Sequence, residues 1–360
     1  MPDRERLEIL EALKSVQDPD LGRDIVSLGF VKDVKICGGA ASVTIELTTP
    51  ACPVKEQIKE QARAAILSVP GIDEARVEMT AQVRSSGSRE GGFLKGIKNI
   101  IAVASGKGGV GKSTVSANLA VALAQKGAAV GLMDADVYGP SIPTLLGITQ
   151  KPAAGDDQRI IPVEQYGVKV ISMGFFLPED KAVIWRGPML DKTVGQFLGG
   201  VQWGELDYLI IDLPPGTGDI QLSLCQKVPL TGAVVVSTPQ DVALNVAQKA
   251  IIMFDQLNTP VIGIVENMSY YVCGSCGHRE EIFGSGGARQ VSQRRNLPFL
   301  GEVPLSTNIR RRSDEGVPVV RADPQSEQAK AFVAVAENLA AQISIRNMPE
   351  GIEEDIKMTF

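Results

Sequence analysis

The amino-acid sequence predicts an α/β protein in which a small α/β domain precedes a larger domain built on a parallel sheet. From about Asn99 onward, near-continuous apolar runs such as IIAVAS, YLIIDLP and GAVVVSTP alternate with helical stretches. That alternation is typical of parallel strands covered on both faces. Before it, shorter strands and helices occur close together. A chain of 360 residues can accommodate two such domains.

Residues 1–80 are predicted to form the small domain. The stretch ERLEILEALKSV predicts a helix with Leu7, Leu10 and Leu13 on one face. Two strands of alternating pattern, FVKDVKI and ASVTIEL, then flank a Cys-Gly-Gly turn that favours a hairpin. The domain continues with a helix, VKEQIKEQARAAILSV, and a third strand, IDEARVEM.

Two further segments have few apolar residues. Residues 81–97, rich in Ser, Gly and Arg, indicate a flexible linker. Residues 346–360, RNMPEGIEEDIKMTF, indicate an acidic, loosely held tail. The larger domain is therefore predicted to cover residues 98–345.

Composition and charge narrow the classes of function. The chain is 44% hydrophobic, carries a net charge of −6, and has no apolar run near the roughly 20 residues that span a bilayer. Negative charge disfavours binding to nucleic acid or to anionic membranes. The charged N-terminus lacks the apolar core of a secretory signal. We therefore expect a cytoplasmic protein with neither nucleic acid nor membrane among its partners.

The strongest motif lies in the stretch IIAVASGKGGVGKSTVSANLAVALAQKG. Its residues fit G-x-x-x-x-G-K-[ST] between a predicted strand and an Ala- and Leu-rich helix, the setting of a phosphate-binding loop. Lys112 is expected to pair with the β- and γ-phosphates, and Ser113 to coordinate Mg²⁺. The predicted ATP-binding loop comprises Gly106, Lys107, Gly108, Gly109, Val110, Gly111, Lys112, Ser113 and Thr114.

Lys107 is a second lysine inside this loop. In this feature the sequence resembles the deviant Walker A ATPases, the group that includes ParA, MinD and the nitrogenase iron protein. The resemblance implies a face-to-face homodimer that encloses two ATP molecules, in which Lys107 reaches the nucleotide of the opposite subunit and contributes to catalysis. The alternative for Lys107 is a solvated loop lysine.

Three aspartates end predicted strands, at the edge where parallel sheets form ligand sites. In LMDADVYGPS, Asp136 is the candidate that orients or deprotonates the attacking water, and Asp134 assists Mg²⁺ through its water shell. In YLIIDLPPGTGD, Asp212 is the predicted Walker B carboxylate. The Gly-Thr-Gly at 216–218 is predicted to be a switch that senses the γ-phosphate.

Asn267 ends another predicted strand, VIGIVENMS. The resemblance to the deviant Walker A ATPases implies that its amide contacts the adenine edge. A structural role in the loop is the alternative.

Cys273 and Cys276 lie in YYVCGSCGHREEIFG, which also holds the chain's one histidine, His278. An odd number of cysteines, five in all, favours metal or redox use over a disulfide framework. The C-x-x-C spacing lets two thiolates share one metal or cluster. Two thiolates, however, do not complete a coordination sphere.

Three interpretations of the pair remain open. A zinc knuckle needs two more ligands, and His278 is too close in sequence to be a good one. A redox dithiol is typically found at the start of a helix in a thioredoxin-like unit, a setting that is not predicted here. In the third, a two-fold dimer brings two copies of the pair together. Four thiolates then surround one site, which suits a [4Fe–4S] cluster.

The order of the motifs resembles the Mrp/ApbC family of ATPase-type iron–sulfur cluster carriers. The matching stretches, over about residues 95–345, are the lysine-bearing loop, DADVYGPSIP, WRGPM, IIDLPPGTGD, VENMS and C-x-x-C. The resemblance implies slow ATP hydrolysis with Mg²⁺ and a labile iron–sulfur cluster, [4Fe–4S], bridging Cys273 and Cys276 of two subunits. It further implies an upstream cluster donor and client apoproteins that receive the cluster. The alternatives are a zinc-bridged ATPase and a MinD- or ParA-like positioning switch.

The N-terminal stretches DPDLGRDIVSLGFV and TTPACPV resemble the SufT-like domain of metal–sulfur assembly factors. Cys52 is predicted at the N-terminus of a helix that begins with Pro53, where a thiolate is stabilised. It is a candidate for contact with a client or for cluster hand-off, with a packing role as the alternative, and Asp18 and Asp20 are candidates for the same pocket. The two other cysteines, Cys37 and Cys225, are predicted to be structural.

Overall fold

The structure is a computed structural model that describes residues 2–86, 94, 96–137, 139–155, 158–176, 195–216 and 218–348. Its internal contacts divide the chain into two units. The smaller unit comprises Met1–Arg84 together with Ile343–Phe360, and the larger unit comprises Ser85–Gln342.

The smaller unit combines two helices with a three-stranded sheet. The strands β3 and β4 form the predicted antiparallel hairpin, and β5 pairs with β4 in parallel. Gly38 and Gly39 in the turn both have positive φ, +57° and +87°, the backbone that a tight two-residue hairpin turn requires. The elements are α1 Pro2–Leu13, β1 Gln17–Asp18, β2 Arg23–Asp24, β3 Val31–Cys37, β4 Ala40–Leu47, α2 Lys55–Leu67 and β5 Glu74–Ala81.

The buried face of the helix α1 agrees only in part with the predicted one. Ile9 and Leu13 are fully buried and Leu10 is partly buried, but Leu7 is 65% exposed. Side chains four positions apart lie above one another on a helix. The buried face therefore runs through Ile9 and Leu13, and Leu7, predicted to share a face with Leu10 and Leu13, lies outside it.

The larger unit contains a nine-stranded sheet in the order β10-β11-β7-β12-β6-β13-β14-β15, with β16 also paired to β14. All its pairings are parallel except those of β10 with β11 and of β15 with β14. The described strands are β6 Ile97–Ser105, β7 Val130–Asp134, β8 Ala153–Ala154, β9 Ile160–Ile161, β10 Val163–Gln165, β11 Val168–Ser172, β12 Leu206–Asp212, β13 Gly232–Ser237, β14 Val261–Val272, β15 Arg279–Glu280 and β16 Phe299–Leu305.

Helices cover this sheet, and every residue of β7 and β13 is buried. Burial of both strand faces confirms the predicted parallel sheet. The helices are α3 Lys112–Gln125, α4 Ile142–Leu145, α5 at 195–199, α6 Asp219–Lys227, α7 Asp241–Gln256, α8 Gly287–Arg295, α9 Thr307–Asp314, α10 Val319–Ala322 and α11 Glu327–Arg346, with a short 3₁₀ helix at Met173–Phe175. Among the described residues, none of the helices has the length and apolarity needed to cross a bilayer.

The two segments predicted to have little packing are partly described. At the start of the predicted linker, Gln82 donates its backbone N–H to the Leu47 carbonyl at 2.8 Å. Residues 87–93 lie outside the described residues, as do residues 349–360 of the predicted tail. The flexible linker, the acidic tail and the cytoplasmic location stay predictions.

Candidate functional site

The phosphate loop lies between the end of β6 and the start of α3. Gly111 has a left-handed backbone, with φ of +79°, and directly precedes the first helical residue, Lys112. A Cβ atom at Gly111 would collide with the side-chain amide of Asn267, and one at Gly106 would collide with the backbone of Val246 in α7. Both positions therefore require glycine.

Lys112 and Asp212 form a buried ion pair at the base of the loop. Nζ of Lys112 lies 2.7 Å from Oδ2 of Asp212, and the two side chains are 6% and 0% exposed. The hydroxyl of Ser113 donates to the same carboxylate oxygen at 2.6 Å. The structure thus brings together the three residues predicted to handle phosphate and Mg²⁺, and the side-chain oxygens of Ser113 and Asp212 are of the kind that Mg²⁺ prefers.

Ser116 adds a contact that the loop motif does not include. Its buried hydroxyl donates to Oδ1 of Asp212 at 2.6 Å and also lies 3.1 Å from the backbone carbonyl of Lys112. Both carboxylate oxygens of Asp212 are therefore hydrogen-bonded to α3. The sequence signal that could have identified Ser116 is its spacing, because residues four positions apart share a helix face.

Asp134 lies beside Asp212 on the neighbouring strand, where the register pairs the two residues. Its carboxylate accepts hydrogen bonds from the Ser172 hydroxyl at 2.9 Å and from the Ile142 N–H at 3.2 Å. Burial, followed by the negative charge of Asp212, raises the pKa of Asp134 to about 7. Asp134 is thus held rigidly next to the predicted Mg²⁺ position.

Asp136 is the more accessible of the two strand-end aspartates. Its side chain is half-buried, and its Oδ1 accepts from the Gly139 N–H at 3.3 Å. Its own backbone N–H donates to Oδ1 of Asp134 at 3.1 Å. The two aspartates are therefore connected, and a carboxylate is available near the loop. The role of Asp136 toward the attacking water stays a prediction.

The segment after Asp212 runs beside the phosphate loop. The N–H of Gly216 donates to the Ser105 carbonyl at the end of β6, at 2.9 Å. Gln221 in α6 donates from Nε2 to the Pro214 carbonyl. Thr217, within the predicted switch, lies outside the described residues. The switch role stays a prediction.

Lys107 lies on the outer part of the loop and is half-buried. Its backbone carbonyl accepts from the Ser105 hydroxyl at 3.0 Å, which fixes the first turn of the loop. Its predicted contact concerns the nucleotide of a second chain and stays a prediction. The other loop residues are Gly108 and Gly109, both exposed, Val110, which is buried, and Thr114, which is half-buried.

Asn267 contacts the phosphate loop directly. It is 6% exposed, and its Nδ2 donates to the Val110 carbonyl at 2.8 Å. This contact supports the structural alternative for Asn267. Its predicted contact with adenine stays a prediction.

Cys273 and Cys276 lie on the turn that joins β14 to β15. The two strands pair in antiparallel fashion over residues 271–272 and β15. The N–H of Cys273 donates to the His278 carbonyl at 2.9 Å, which closes the turn. The two cysteines are thus carried at the tip of a short ribbon that continues from the central sheet.

The two thiols meet on the surface of this turn. Cys273 is half-buried and Cys276 is exposed, and neither forms a disulfide. The backbone N–H groups of Ser275 and Cys276, together with the Cys276 thiol, hydrogen-bond to the Cys273 sulfur and lower its pKa. Because the thiolate is the form that binds metal, these bonds favour ligation.

Other metal-ligating side chains near Cys273 and Cys276 can be sought only among the described residues. The side chain of His278 is exposed. Within the described residues, no cluster of three or more His, Cys, Asp or Glu side chains is arranged to hold a metal ion.

Cys52 lies in the smaller unit, between β4 and α2. The helix α2 begins at Lys55 rather than at Pro53, because Val54, with φ of −103° and ψ of 12°, is the non-helical N-cap. The predicted position of Cys52 at a helix N-terminus is therefore wrong. Its half-buried side chain packs against the core of the smaller unit, and its hand-off role stays a prediction.

Asp18 stabilises a turn in the same unit. It is 5% exposed, and its Oδ1 accepts from the backbone N–H groups of Asp20 and Leu21 at 2.9 and 3.0 Å. Asp20 is exposed. A pocket shared by these aspartates and Cys52 stays a prediction.

The two cysteines predicted to be structural lie in different settings. Cys225 in α6 is 7% exposed, and burial raises its pKa to about 12, as a structural role requires. Cys37 ends β3 at the hairpin turn and is exposed.

Comparisons with known proteins cover both units. The family described as NUBPL iron-transfer P-loop NTPase matches residues 96–340, and the family described as iron–sulfur cluster assembly protein matches residues 6–79. The iron–sulfur cluster carrier protein of Deinococcus radiodurans is 50% identical over 343 residues, which cover 95% of this chain and 97% of the relative.

Solved structures resemble the larger unit. A nucleotide-binding protein from Archaeoglobus fulgidus in complex with ADP is 43% identical, with a TM-score of 0.58, over 67% of this chain and 93% of its own. The cell division ATPase MinD of Pyrococcus furiosus is 26% identical, with a TM-score of 0.51, over 67% of this chain and 97% of its own. The resemblance predicted from the motifs is confirmed: this chain belongs to the iron-transfer P-loop NTPase family, together with iron–sulfur cluster carrier proteins, and carries an iron–sulfur cluster assembly domain at its N-terminal end.

Proposed function

We propose that the protein is an ATP-hydrolysing carrier that holds an iron–sulfur cluster between two copies of the chain and transfers it to apoproteins. The observation that carries this proposal is the surface turn of Cys273 and Cys276, which adjoins the strand that contacts the phosphate loop. Such a turn supplies two thiolates but no complete coordination sphere.

The nucleotide half of the function depends on charge and position. The Lys112 ammonium would leave Asp212 to neutralise the β- and γ-phosphates of ATP, while the loop N–H groups bind the phosphate oxygens. Ser113 and Asp212 would hold Mg²⁺, which supplies charge neutralisation at the phosphates when bound. The hydroxyl of Ser116 keeps the Asp212 carboxylate in one orientation during this exchange.

Water attack would depend on the aspartates at the end of β7. We assign the base or orienting role to Asp136, because its carboxylate is the accessible one. Asp134 accepts three hydrogen bonds from Ser172, Ile142 and the Asp136 N–H, so its role is to position. Most of the rate enhancement would come from positioning, and slow turnover is expected.

The cluster half of the function needs a second copy. A two-fold axis through the cysteine turns would bring four thiolates around one site, the number that a [4Fe–4S] cluster requires. In the same dimer, Lys107 of each copy would reach the nucleotide of the other. Exposed cysteine ligands allow client thiolates to replace them one at a time, without net redox change, so the cluster can be handed on.

Anaerobic reconstitution with iron and sulfide, followed by absorption spectroscopy and metal analysis, tests the proposal. We expect broad visible absorption of an iron–sulfur cluster and subsequent transfer of the cluster to an apoprotein client. Bound zinc in place of iron, with no cluster absorption, would instead identify a zinc-bridged ATPase, because four thiolates also satisfy zinc.

A further inference from the structure

One strand, β14, connects the phosphate loop to the cysteine turn. Asn267 in this strand donates to the Val110 carbonyl at 2.8 Å, and the strand ends at Val272, next to Cys273. Cys273 follows Asn267 by six positions, which corresponds to about 20 Å of extended chain. A displacement of Asn267 can therefore be transmitted along the backbone of β14 to Cys273.

The Val110–Gly111 peptide presents opposite sides to the nucleotide and to Asn267. In a planar trans peptide the C=O and the following N–H point in opposite directions. Asn267 binds the carbonyl side of this peptide, so the Gly111 N–H is directed away from Asn267. When that N–H binds a phosphate oxygen, the peptide becomes polarised, and its hydrogen bond to Asn267 strengthens.

The backbone of β14 is irregular just after Asn267. Met268 has φ of +58°, a conformation that is strained for a residue with a long side chain. The pairing of β14 with β16 also shifts register between Asn267 and Tyr271. The strand thus contains a bend between the loop contact and the cysteine ribbon.

Glu266 holds the other side of this bend. Its fully buried carboxylate accepts from the Ser269 hydroxyl at 2.6 Å and from the N–H groups of Gly286 and Ala288 at 2.8 and 2.7 Å. The two bonds from Gly286 and Ala288 fix Glu266 to the N-terminus of α8, where a negative charge is stabilised, whereas the Ser269 bond lies within β14. With Glu266 anchored, movement of Asn267 would rotate the ribbon beyond the bend rather than shift the whole strand.

We propose that Asn267 is a positioning residue that transmits nucleotide occupancy of the phosphate loop to Cys273 and Cys276. The inference rests on the proposed function, because it gives the coupling between ATP and the cluster a physical route. The strand segment 267–272 would move as one unit. Asn267 connects one end of it to the phosphate loop, and the other end joins the turn that contains both thiols.

The test measures alkylation rates of the cysteines in metal-free protein by peptide mass spectrometry. In the native sequence, a non-hydrolysable ATP analogue with Mg²⁺ should change the rates at Cys273 and Cys276 by at least about fivefold, a typical coupling between linked sites. The rate at Cys37, in the smaller unit, should not change. In Asn267→Ala, at analogue concentrations that saturate the loop, the nucleotide effect should disappear.

Two further variants sharpen this test. Asn267→Asp keeps the side-chain size but removes the donor to Val110, and should also lose the nucleotide effect. Asn99→Ala removes a comparable amide-to-carbonyl bond, to Asp207 at 3.2 Å, near the N-terminal ends of the central strands β6 and β12, and should keep the nucleotide effect. Persistence of the full effect in both Asn267 variants would overturn the proposal. So would folded Asn267 variants that bind no nucleotide, since the residue would then act in binding itself.

Hydrogen exchange in the native sequence provides a measurement that needs no variant. The analogue should slow exchange of the amides in 267–272, and no change there would overturn the proposal. Because neither assay involves iron, the coupling can fail while reconstitution succeeds. Equally, the coupling can hold in a protein that proves to bind zinc.

Discussion

The phosphate-loop cluster and the cysteine turn differ in how far one chain completes them. Both carboxylate oxygens of the fully buried Asp212 have partners from α3, namely Lys112, Ser113 and Ser116. At the cysteine turn, by contrast, the chain offers two thiols at the surface, and their hydrogen bonds come from the turn itself.

Because of this difference, the two sites need different things to bind a ligand. In a buried, internally bonded cluster, the side chains are held in position by contacts within one chain. A pair of thiolates at the surface must recruit further ligands to complete a metal site and could release a bound cluster by ligand exchange. Under the proposed function, the phosphate-loop cluster would bind nucleotide and the cysteine turn would hold the cluster, and variants at the two sites should have separable effects.

Replacing either turn cysteine should give the largest effect. Cys273→Ala or Cys276→Ala removes one of the two thiolates that each chain supplies, so two of the four ligands are lost in a dimer. We expect loss of bound iron and sulfide after reconstitution, with ATP affinity unchanged. Cys37→Ala, which removes an exposed thiol from the smaller unit, serves as the control and should retain the cluster. Full cluster content in either turn variant would show that the ligand assignment is wrong.

Lys112→Ala should have the next largest effect, confined to the nucleotide site. Loss of the ammonium removes the main positive charge at the phosphates, and ATP turnover should fall by at least about a hundredfold. It also leaves the Asp212 carboxylate buried without its counter-charge, which costs about 3 kcal/mol of folding free energy. Cluster binding should survive at temperatures where the variant is folded, as checked by thermal unfolding. If this variant delivered the cluster to a client at the normal rate, cluster transfer would not depend on ATP turnover.

Ser116→Ala should have a smaller effect, a change in the Mg²⁺ concentration that ATPase activity requires. Without the hydroxyl, Oδ1 of Asp212 loses its partner, and the carboxylate is held through Oδ2 alone. Loss of such an outer contact typically weakens metal affinity by about tenfold or more, so half-maximal ATPase activity should require correspondingly more Mg²⁺. Ser292→Ala, which removes a buried hydroxyl in α8 bonded to the Leu297 carbonyl, should leave the Mg²⁺ titration unaltered. Identical titrations of the native protein and Ser116→Ala would mean that Ser116 only packs.

Thiol reactivity should differ between Cys273 and Cys225 in the native sequence, without any substitution. Hydrogen bonds lower the pKa of Cys273, whereas burial raises the pKa of Cys225 to about 12. At neutral pH Cys273 therefore has a larger thiolate fraction than Cys225. Its alkylation should remain measurable at lower pH values than that of Cys225. Cys225 should react only after unfolding. Rates followed by peptide mass spectrometry from pH 6 to 9 check this order, and equal rates at the two cysteines would contradict it.

Local patterns predicted much of the fold and of the nucleotide site. Buried parallel strands have no polar face, so their apolar runs can be recognised without tertiary information. The phosphate loop is equally local, because its glycines and Lys112 act within one strand–turn–helix unit. The same reasoning identified the cysteine turn, where both thiols lie within four residues.

Contacts between distant parts of the chain could not be predicted in this way. Ser116 and Asp212 are 96 positions apart, and Asn267 and Val110 are 157 apart, so no short motif contains either pair. The face predicted for α1 was only partly right for a related reason: leucines at helical spacing suggested a face through Leu7, but the packed face runs through Ile9 and leaves Leu7 exposed. The ends of helices also depend on the backbone angles of single residues. Val54 is non-helical, so α2 begins at Lys55 and not at Pro53.

The stoichiometry of the loaded protein tests the central claim most directly. Iron and sulfide analysis combined with a mass measurement under native, anaerobic conditions gives the number of clusters per chain. We predict one cluster for every two chains, with about four iron and four sulfide ions, and a mass of two chains that returns to one when Cys273 is replaced by alanine. A cluster or metal ion retained by a single chain, or two separate ions in a dimer, would contradict the account.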